Sequence, residues 1–355
     1  MKSIKNLGFS DFHEKSLEPC DIENYKISRI TAEHKNSYIV NDGNYDYFAT
    51  ISGKFFHKLQ NEGTIPVVGD FVLLKKDTLS PAIIEKIVPR KTCLKRISKL
   101  NRKSFNISNK EQIIVSNVDK VFIVTSLNQD FNLSRIERAL SFVYDSGASP
   151  IILLSKSDIC DNLDELMDKV EQIAFGVPII AYSNVTKDGL DKIKSFIKQG
   201  ETYCLIGSSG VGKTSLINNI CGLNEKTIKI REGDDKGKHA TTSKALYVLE
   251  NGGMIVDLPG LREIGIFNEN EGFDTTYSDI EELIGLCKFS DCTHTNEPNC
   301  AVRQAIKDGF LDERRFKNYL KLKKEQEFVT DKKQAMLKRK QELKRISKLI
   351  RQMNN

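Results

Sequence analysis

The sequence predicts a mostly parallel α/β sheet, with a small all-β barrel before it and a Cys/His-rich helical segment after it. Three observations predict this. From residue 118 onward short apolar runs alternate with helix-like segments: "KVFIVTSL" precedes "LSRIERALSFVYDSG", and "SPIILLSKSD" precedes "LDELMDKVEQIA". Residues 23–90 carry five short strand-like runs separated by turns such as "NDGN" and "NEGT". Residues 280–310 gather three cysteines and one histidine. Repeated strand–helix alternation gives a parallel sheet with helices on both faces. Five strands over roughly 70 residues suit a barrel of the OB type.

A chain of 355 residues can hold two or three domains, each with its own core. The expected boundaries are 1–110 for an N-terminal extension, the barrel and a basic linker, 111–280 for the α/β domain, and 281–355 for the Cys/His segment and a long helix. No apolar run approaches the length of a membrane span, and the start "MKSIKNLGFSDFHEK" lacks a signal-type apolar region. The expected compartment is the cytoplasm, with no membrane partner and with its thiols reduced. Net charge is +6 but unevenly spread. Residues 311–355 hold 15 Lys and Arg against 6 Asp and Glu, a net +9. Residues 88–110 hold 8 Lys and Arg and no acid. Such blocks suit a polyanionic partner, or simply a solvated helix face and linker.

The strand "TYCLI" runs into Gly207-Ser208-Ser209-Gly210-Val211-Gly212-Lys213-Thr214-Ser215. Gly207 to Thr214 fit G-x-x-x-x-G-K-[ST], and Ser215 is a further expected contact. The glycines let the backbone wrap a phosphate with its N–H groups inward, and the helix that follows adds its positive end. Lys213 is expected on the β- and γ-phosphates, and Thr214 on Mg²⁺. The α/β domain is therefore of the P-loop class.

Four further motifs concern the base, the metal and the γ-phosphate. Ser155-Lys156-Ser157-Asp158 ends the strand "PIILL". It matches the guanine-reading [NT]-K-x-D pattern except for Ser at the first position. Asp158 can accept from the two donors of guanine, the Lys156 stem can cover the base, and the shorter Ser155 is expected to contact it more weakly. Ser183 in "AYSN" sits where a second base-contacting loop is expected. Asp257-Leu258-Pro259-Gly260 fits D-x-x-G, with Asp257 supporting Mg²⁺ through water and the Gly260 N–H sensing the γ-phosphate. Between lies Gly237-Lys238-His239-Ala240-Thr241-Thr242, a switch loop in which Thr241 is the expected second Mg²⁺ ligand. The predicted ligands are GTP or GDP with Mg²⁺. The order is rotated, because the base motif precedes the P-loop instead of following D-x-x-G. Circular permutation leaves such a site intact, since each motif is a loop on one edge of one sheet.

Cys287-x4-Cys292-x-His294-x5-Cys300 places three thiols and an imidazole within 14 residues. Soft S₃N ligation at this spacing is the signature of a structural Zn²⁺. Four protein ligands leave no open position, so the metal is expected to hold a fold together.

With the rotated order, the barrel in front and this cluster behind, the chain resembles the RsgA family of circularly permuted GTPases. The residues that carry the resemblance are "GSSGVGKTSLIN", "GKHATT", "DLPGLREIG" and "CKFSDCTHTNEPNCAVRQAI". The resemblance implies binding to the 30S ribosomal subunit and its 16S rRNA, a role late in subunit maturation, and hydrolysis that speeds up on the subunit. The barrel and zinc domain would be RNA-contacting arms, on a monomeric protein. Ser155, Ala240 and the long basic tail beyond about residue 325 depart from the family pattern.

Many GTPases place a water-orienting Gln after D-x-x-G. Here that residue is Leu261, so His239 is the candidate, a role the resemblance supports. Two other readings stay open: an RNA-binding nucleotide switch, a paralogue with little hydrolysis or another partner, and a small-molecule kinase or ATPase. D-x-x-G argues against the last.

Overall fold

In this computed structural model the described residues are 2–34, 37–62, 65–76, 81–97, 111–222, 244–258 and 270–327. They fall into two compact units. One takes in residues up to 96 and 112–258, and the other includes 270–327.

Five strands form the expected barrel: β1 (Tyr25–His34), β2 (Ser37–Asn41), β3 (Asp46–Ile51), β4 (Phe71–Lys75) and β5 (Ala82–Ile87). β1 pairs with both β2 and β4, β2 with β3, β3 with β5 and β5 with β4, so the ring closes. Closure removes the free edges that a five-stranded sheet would otherwise expose. A helix, Gly53–Glu62, joins β3 to the next strand, and three short helices precede β1; the sequence reading contained none of them. The stretch read as a basic linker is in part a ribbon. β6 (Cys93–Ile97) pairs with β7 (Glu111–Ser116).

The α/β sheet is built from β8 (Lys120–Ser126), β9 (Ser149–Ser155), β10 (Ile179–Tyr182), β11 (Thr202–Ile206), β12 (Ala245–Val248) and β13 (Met254–Asp257). Its order is β10-β9-β8-β11-β13-β12, parallel except for β12. The strands are nearly continuous apolar runs buried on both faces, as parallel strands between helix layers must be. The helix Leu133–Asp145 buries Ile136, Ala139, Leu140 and Val143, spaced for one face, and Asn132 caps it by accepting from the Arg135 N–H.

Barrel and sheet are joined through a buried arginine on β1. The Arg29 guanidinium is fully enclosed. It donates to the carbonyls of Leu7, Gly69 and Asn117 and to the Thr202 hydroxyl at the start of β11. Burial lowers its pKa to about 10, with Asp119 and Asp70 opposing. One side chain thus ties together the N-terminal segment, the barrel and the sheet. Replacement by the apolar Met would orphan the buried carbonyls of Leu7 and Asn117, while Gly69 keeps the Asn117 amide. Arg29→Met is expected to cost about 3–5 kcal/mol. A urea midpoint unchanged from the wild type would contradict this.

In the second unit, helices Asn270–Thr276, Ser278–Gly285 and Ala301–Lys307 and a helical run over 313–327 surround Phe273, Tyr277, Ile280, Val302, Phe316 and Tyr319. Arg315 pairs bidentately with Asp279 and lies over the Tyr277 ring. The expected long helix is present through residue 327; its basic remainder lies outside the described residues.

Candidate functional site

The predicted nucleotide loops leave the sheet at one edge. β9 ends in Ser155, β10 in Tyr182, β11 in Ile206 and β13 in Asp257. These strands are parallel, so their carboxyl ends converge, as at ligand sites of open α/β sheets.

The P-loop follows β11. Gly207 has φ +148, and a Cβ there would lie 2.2 Å from the Val124 carbonyl oxygen on β8. Only glycine fits this crossing. Gly212, at φ +92, caps the helix α8 (Lys213–Cys221), whose Leu216, Ile217 and Ile220 are buried. The Lys213 ammonium folds back on the loop and donates to the carbonyls of Gly207 (2.8 Å) and Ser208 (2.7 Å). Thr214 and Ser215 are exposed in the first turn of α8. Asp257 closes β13. Burial raises its carboxyl above the ordinary range, and the charge of Lys213 opposes this. The two P-loop partners expected around a metal-bound phosphate therefore sense one another.

The base motif forms a tight turn. Lys156 is left-handed, at φ 64, and Ser157–Ile159 make one 3-10 turn with Asp158 exposed. Ser155 is placed differently from the sequence expectation. It is fully buried, and its hydroxyl is within hydrogen-bond distance of the Val211 carbonyl (2.8 Å) and the Thr125 carbonyl (3.2 Å). Its side chain is committed to the P-loop. A peptide is planar and trans, so holding the Val211 carbonyl outward turns the Gly212 N–H the other way. Ser155 thus ties the base motif to the P-loop backbone. Ser183 is also buried, and its hydroxyl accepts from the Val185 and Thr186 N–H groups, which shapes the second base loop.

Sequence reasoning missed Asn184. Its amide donates to the Gly212 carbonyl at 3.1 Å. The signal was an Asn directly after Ser183, but nothing local says that it reaches the P-loop. His239, Thr241, Gly260 and Leu261 lie outside the described residues.

The Cys/His cluster assembles in the second unit. The donor atoms of Cys287, Cys292, His294 and Cys300 lie within 4.8 Å of one another. The Cys287 and Cys300 sulfurs are 3.9 Å apart, and His294 Nδ1 is 3.6 Å from the first and 3.4 Å from the second. Zinc–sulfur bonds of about 2.3 Å in a tetrahedron put sulfurs roughly 3.8 Å apart and sulfur and nitrogen roughly 3.6 Å apart. The donors fit such an ion. Cys300 caps the helix Ala301–Lys307, accepting from the Arg303 N–H, so the positive end of the backbone faces its sulfur. Burial would raise the Cys287 thiol, but the N–H groups of Val302 and Ala301 and the neighbouring thiols bring it below its usual value. Burial lowers the His294 imidazole, which favours its neutral, ligating form. Glu297 accepts from the backbone of Thr293, Thr295 and Asn296 and so holds the loop between the last two ligands.

A family model described as RsgA GTPase matches residues 87–267, more than half of the chain. The chain belongs to the RsgA GTPase family. A second model, described as 50S ribosome-binding GTPase, matches residues 202–333. Relatives include the small ribosomal subunit biogenesis GTPase RsgA of Methanosarcina acetivorans, 42% identical over 89% of this chain and 83% of its own. RsgA 2 of Listeria monocytogenes is 38% identical over 95% of this chain and 93% of its own. Among solved structures, YjeQ from Thermotoga maritima aligns with a TM-score of 0.63 at 27% identity, covering 85% of this chain and 98% of its own. YloQ, a circularly permuted GTPase, aligns at 0.59 and shares the fold. The protein is thus an RsgA-family GTPase with a permuted P-loop domain, an OB-like barrel and a Cys₃His cluster.

Proposed function

We propose that this GTPase acts on the small ribosomal subunit, with the 30S particle and its 16S rRNA as partner, late in the particle's maturation. The names of its relatives support the subunit, and the basic blocks support an RNA partner. The observation that carries the site assignment is the convergence of the base turn, P-loop and Asp257 on one sheet edge, with Ser155 joining the first to the second.

The roles follow from chemistry. Backbone N–H groups of Gly207 to Ser215 receive the phosphates, and Lys213 neutralises the β- and γ-oxygens. Lys156 and Asp158 read guanine, and the Ser183 loop offers it backbone. Thr214 and Thr241 would hold Mg²⁺, with Asp257 behind it and Gly260 on the γ-phosphate. The ion would neutralise charge on the transferring group. His239 takes the place of the missing Gln and orients the attacking water. Zn²⁺ on Cys287, Cys292, His294 and Cys300 would be structural. The setting is a reducing cytoplasm and the protein a monomer.

GTP turnover measured with and without 30S subunits, and with ATP as competitor, tests this reading. Stimulation by the subunit that ATP leaves untouched is expected. His239→Ala should abolish the stimulation. No stimulation, or full stimulation in His239→Ala, would overturn the partner or the water-orienting role respectively.

A further inference from the structure

Asn184 belongs to a directed chain of hydrogen bonds. The Lys187 ammonium donates to Asn219 Oδ1 at 2.6 Å. Asn219 Nδ2 donates to Asn184 Oδ1 at 3.0 Å. Asn184 Nδ2 donates to the Gly212 carbonyl. The ends set the polarity. An ammonium can only donate and a carbonyl can only accept, so both amides between them have one allowed orientation. Lys187 also donates to the Asn184 carbonyl, which closes the chain on itself.

This chain links three places. Asn184 and Lys187 sit in the second base loop, Asn219 is in the second turn of α8, and Gly212 caps the start of that helix. Gly212 is fitted to it, since a Cβ there would meet Asn184 Nδ2 at 2.7 Å. The Gly212 carbonyl also accepts the first helical bond of α8, from the Leu216 N–H. The base loop therefore grips the residue at which the phosphate cradle becomes a helix. Lys187 is held at φ +71, a left-handed conformation that a lysine rarely adopts. Such strain persists where surrounding bonds over-determine it, and it gathers at functional sites.

We propose that Asn184, held by Asn219 and Lys187, is a positioning residue for nucleotide binding. It locks the P-loop to the loop beneath the base, so that the phosphate-facing N–H groups are in place before the nucleotide arrives. Binding then orders less backbone and retains the nucleotide longer. This rests on the site assignment proposed above.

The test is release of a fluorescent methylanthraniloyl-GDP from the full chain, followed by stopped flow, beside the melting temperature of the unliganded protein. Asn184→Ala should release the nucleotide about five- to tenfold faster, the loss of one or two net hydrogen bonds. Asn219→Ala should do the same, and the double variant no more, because the two act as one unit. Asn184→Asp should be worse than Ala, because it sets a carboxylate against the Gly212 carbonyl. The unliganded melting temperature should stay put in all of them. Wild-type release from Asn184→Ala, additive single effects, or a fall in unliganded melting temperature that tracks the faster release would overturn the proposal. A wild-type protein that binds no GDP would overturn the site assignment and this proposal together; the other outcomes leave the site assignment standing.

Discussion

Removing the metal from Cys287, Cys292, His294 and Cys300 is expected to unfold the second unit while the α/β sheet stays folded. The unit's core is small, built around Phe273, Tyr277, Ile280, Phe316 and Tyr319. A core of this size rarely supplies more than about 3–5 kcal/mol. Structural zinc contributes about 10–16 kcal/mol in small domains. The metal term exceeds the core term, so the unit should not survive without it. Two of the ligands also sit at element boundaries. Cys287 follows the helix Ser278–Gly285, and Cys300 caps the helix Ala301–Lys307, so a metal on this cluster would clamp the two helices. Cys300→Ser should act like a chelator, since it loses the thiolate ligand while the serine hydroxyl can still cap the helix. Far-UV circular dichroism of the full chain, with zinc counted by elemental analysis, checks this. Unchanged helicity after complete metal loss would mean that the aromatic core and the Arg315–Asp279 pair suffice.

The second large effect is at Lys213. Lys213→Ala is expected to lower kcat/KM for GTP by about 10²–10³, the scale for removing one preorganised donor from a charge-stabilising site. The ammonium already lies among the Gly207 and Ser208 carbonyls and near Asp257, so it is in the cradle before any nucleotide. These carbonyls hold it in place but do not neutralise it, and phosphate oxygens are the better partners for a point charge. Lys213→Arg should not rescue the loss. The guanidinium is planar and wider, and the loop was shaped around a compact ammonium. Single-turnover hydrolysis at saturating GTP separates chemistry from binding. A rate within about threefold of wild type would show that backbone N–H groups alone carry the phosphates.

What was legible in the sequence was what is local along the chain. The P-loop motif occupies eight consecutive residues and the Cys/His cluster 14, and each spacing encodes its own geometry. The five barrel strands and the parallel strands were legible too, because a strand buried on both faces must be apolar throughout. The order of the motifs even disclosed the permutation. The short N-terminal helices and Gly53–Glu62 escaped, because helices of so few turns take their stability from packing and leave little periodicity to read.

The sequence by itself determined the nucleotide class, the Cys/His cluster and the fold class, because each depends on residue types at short, fixed spacings. The tertiary structure alone decided how the parts hold one another. Ser155 reaches Val211 across 56 positions, Asn184 reaches Gly212 across 28, and Arg29 reaches Thr202 across 173. Ser155 matched a base-reading motif by position, yet folding turned its hydroxyl onto a carbonyl that no local pattern brings near it. A side chain's chemistry is written in its identity. Its partners are set only when sheet order and burial decide which polar groups lie within reach.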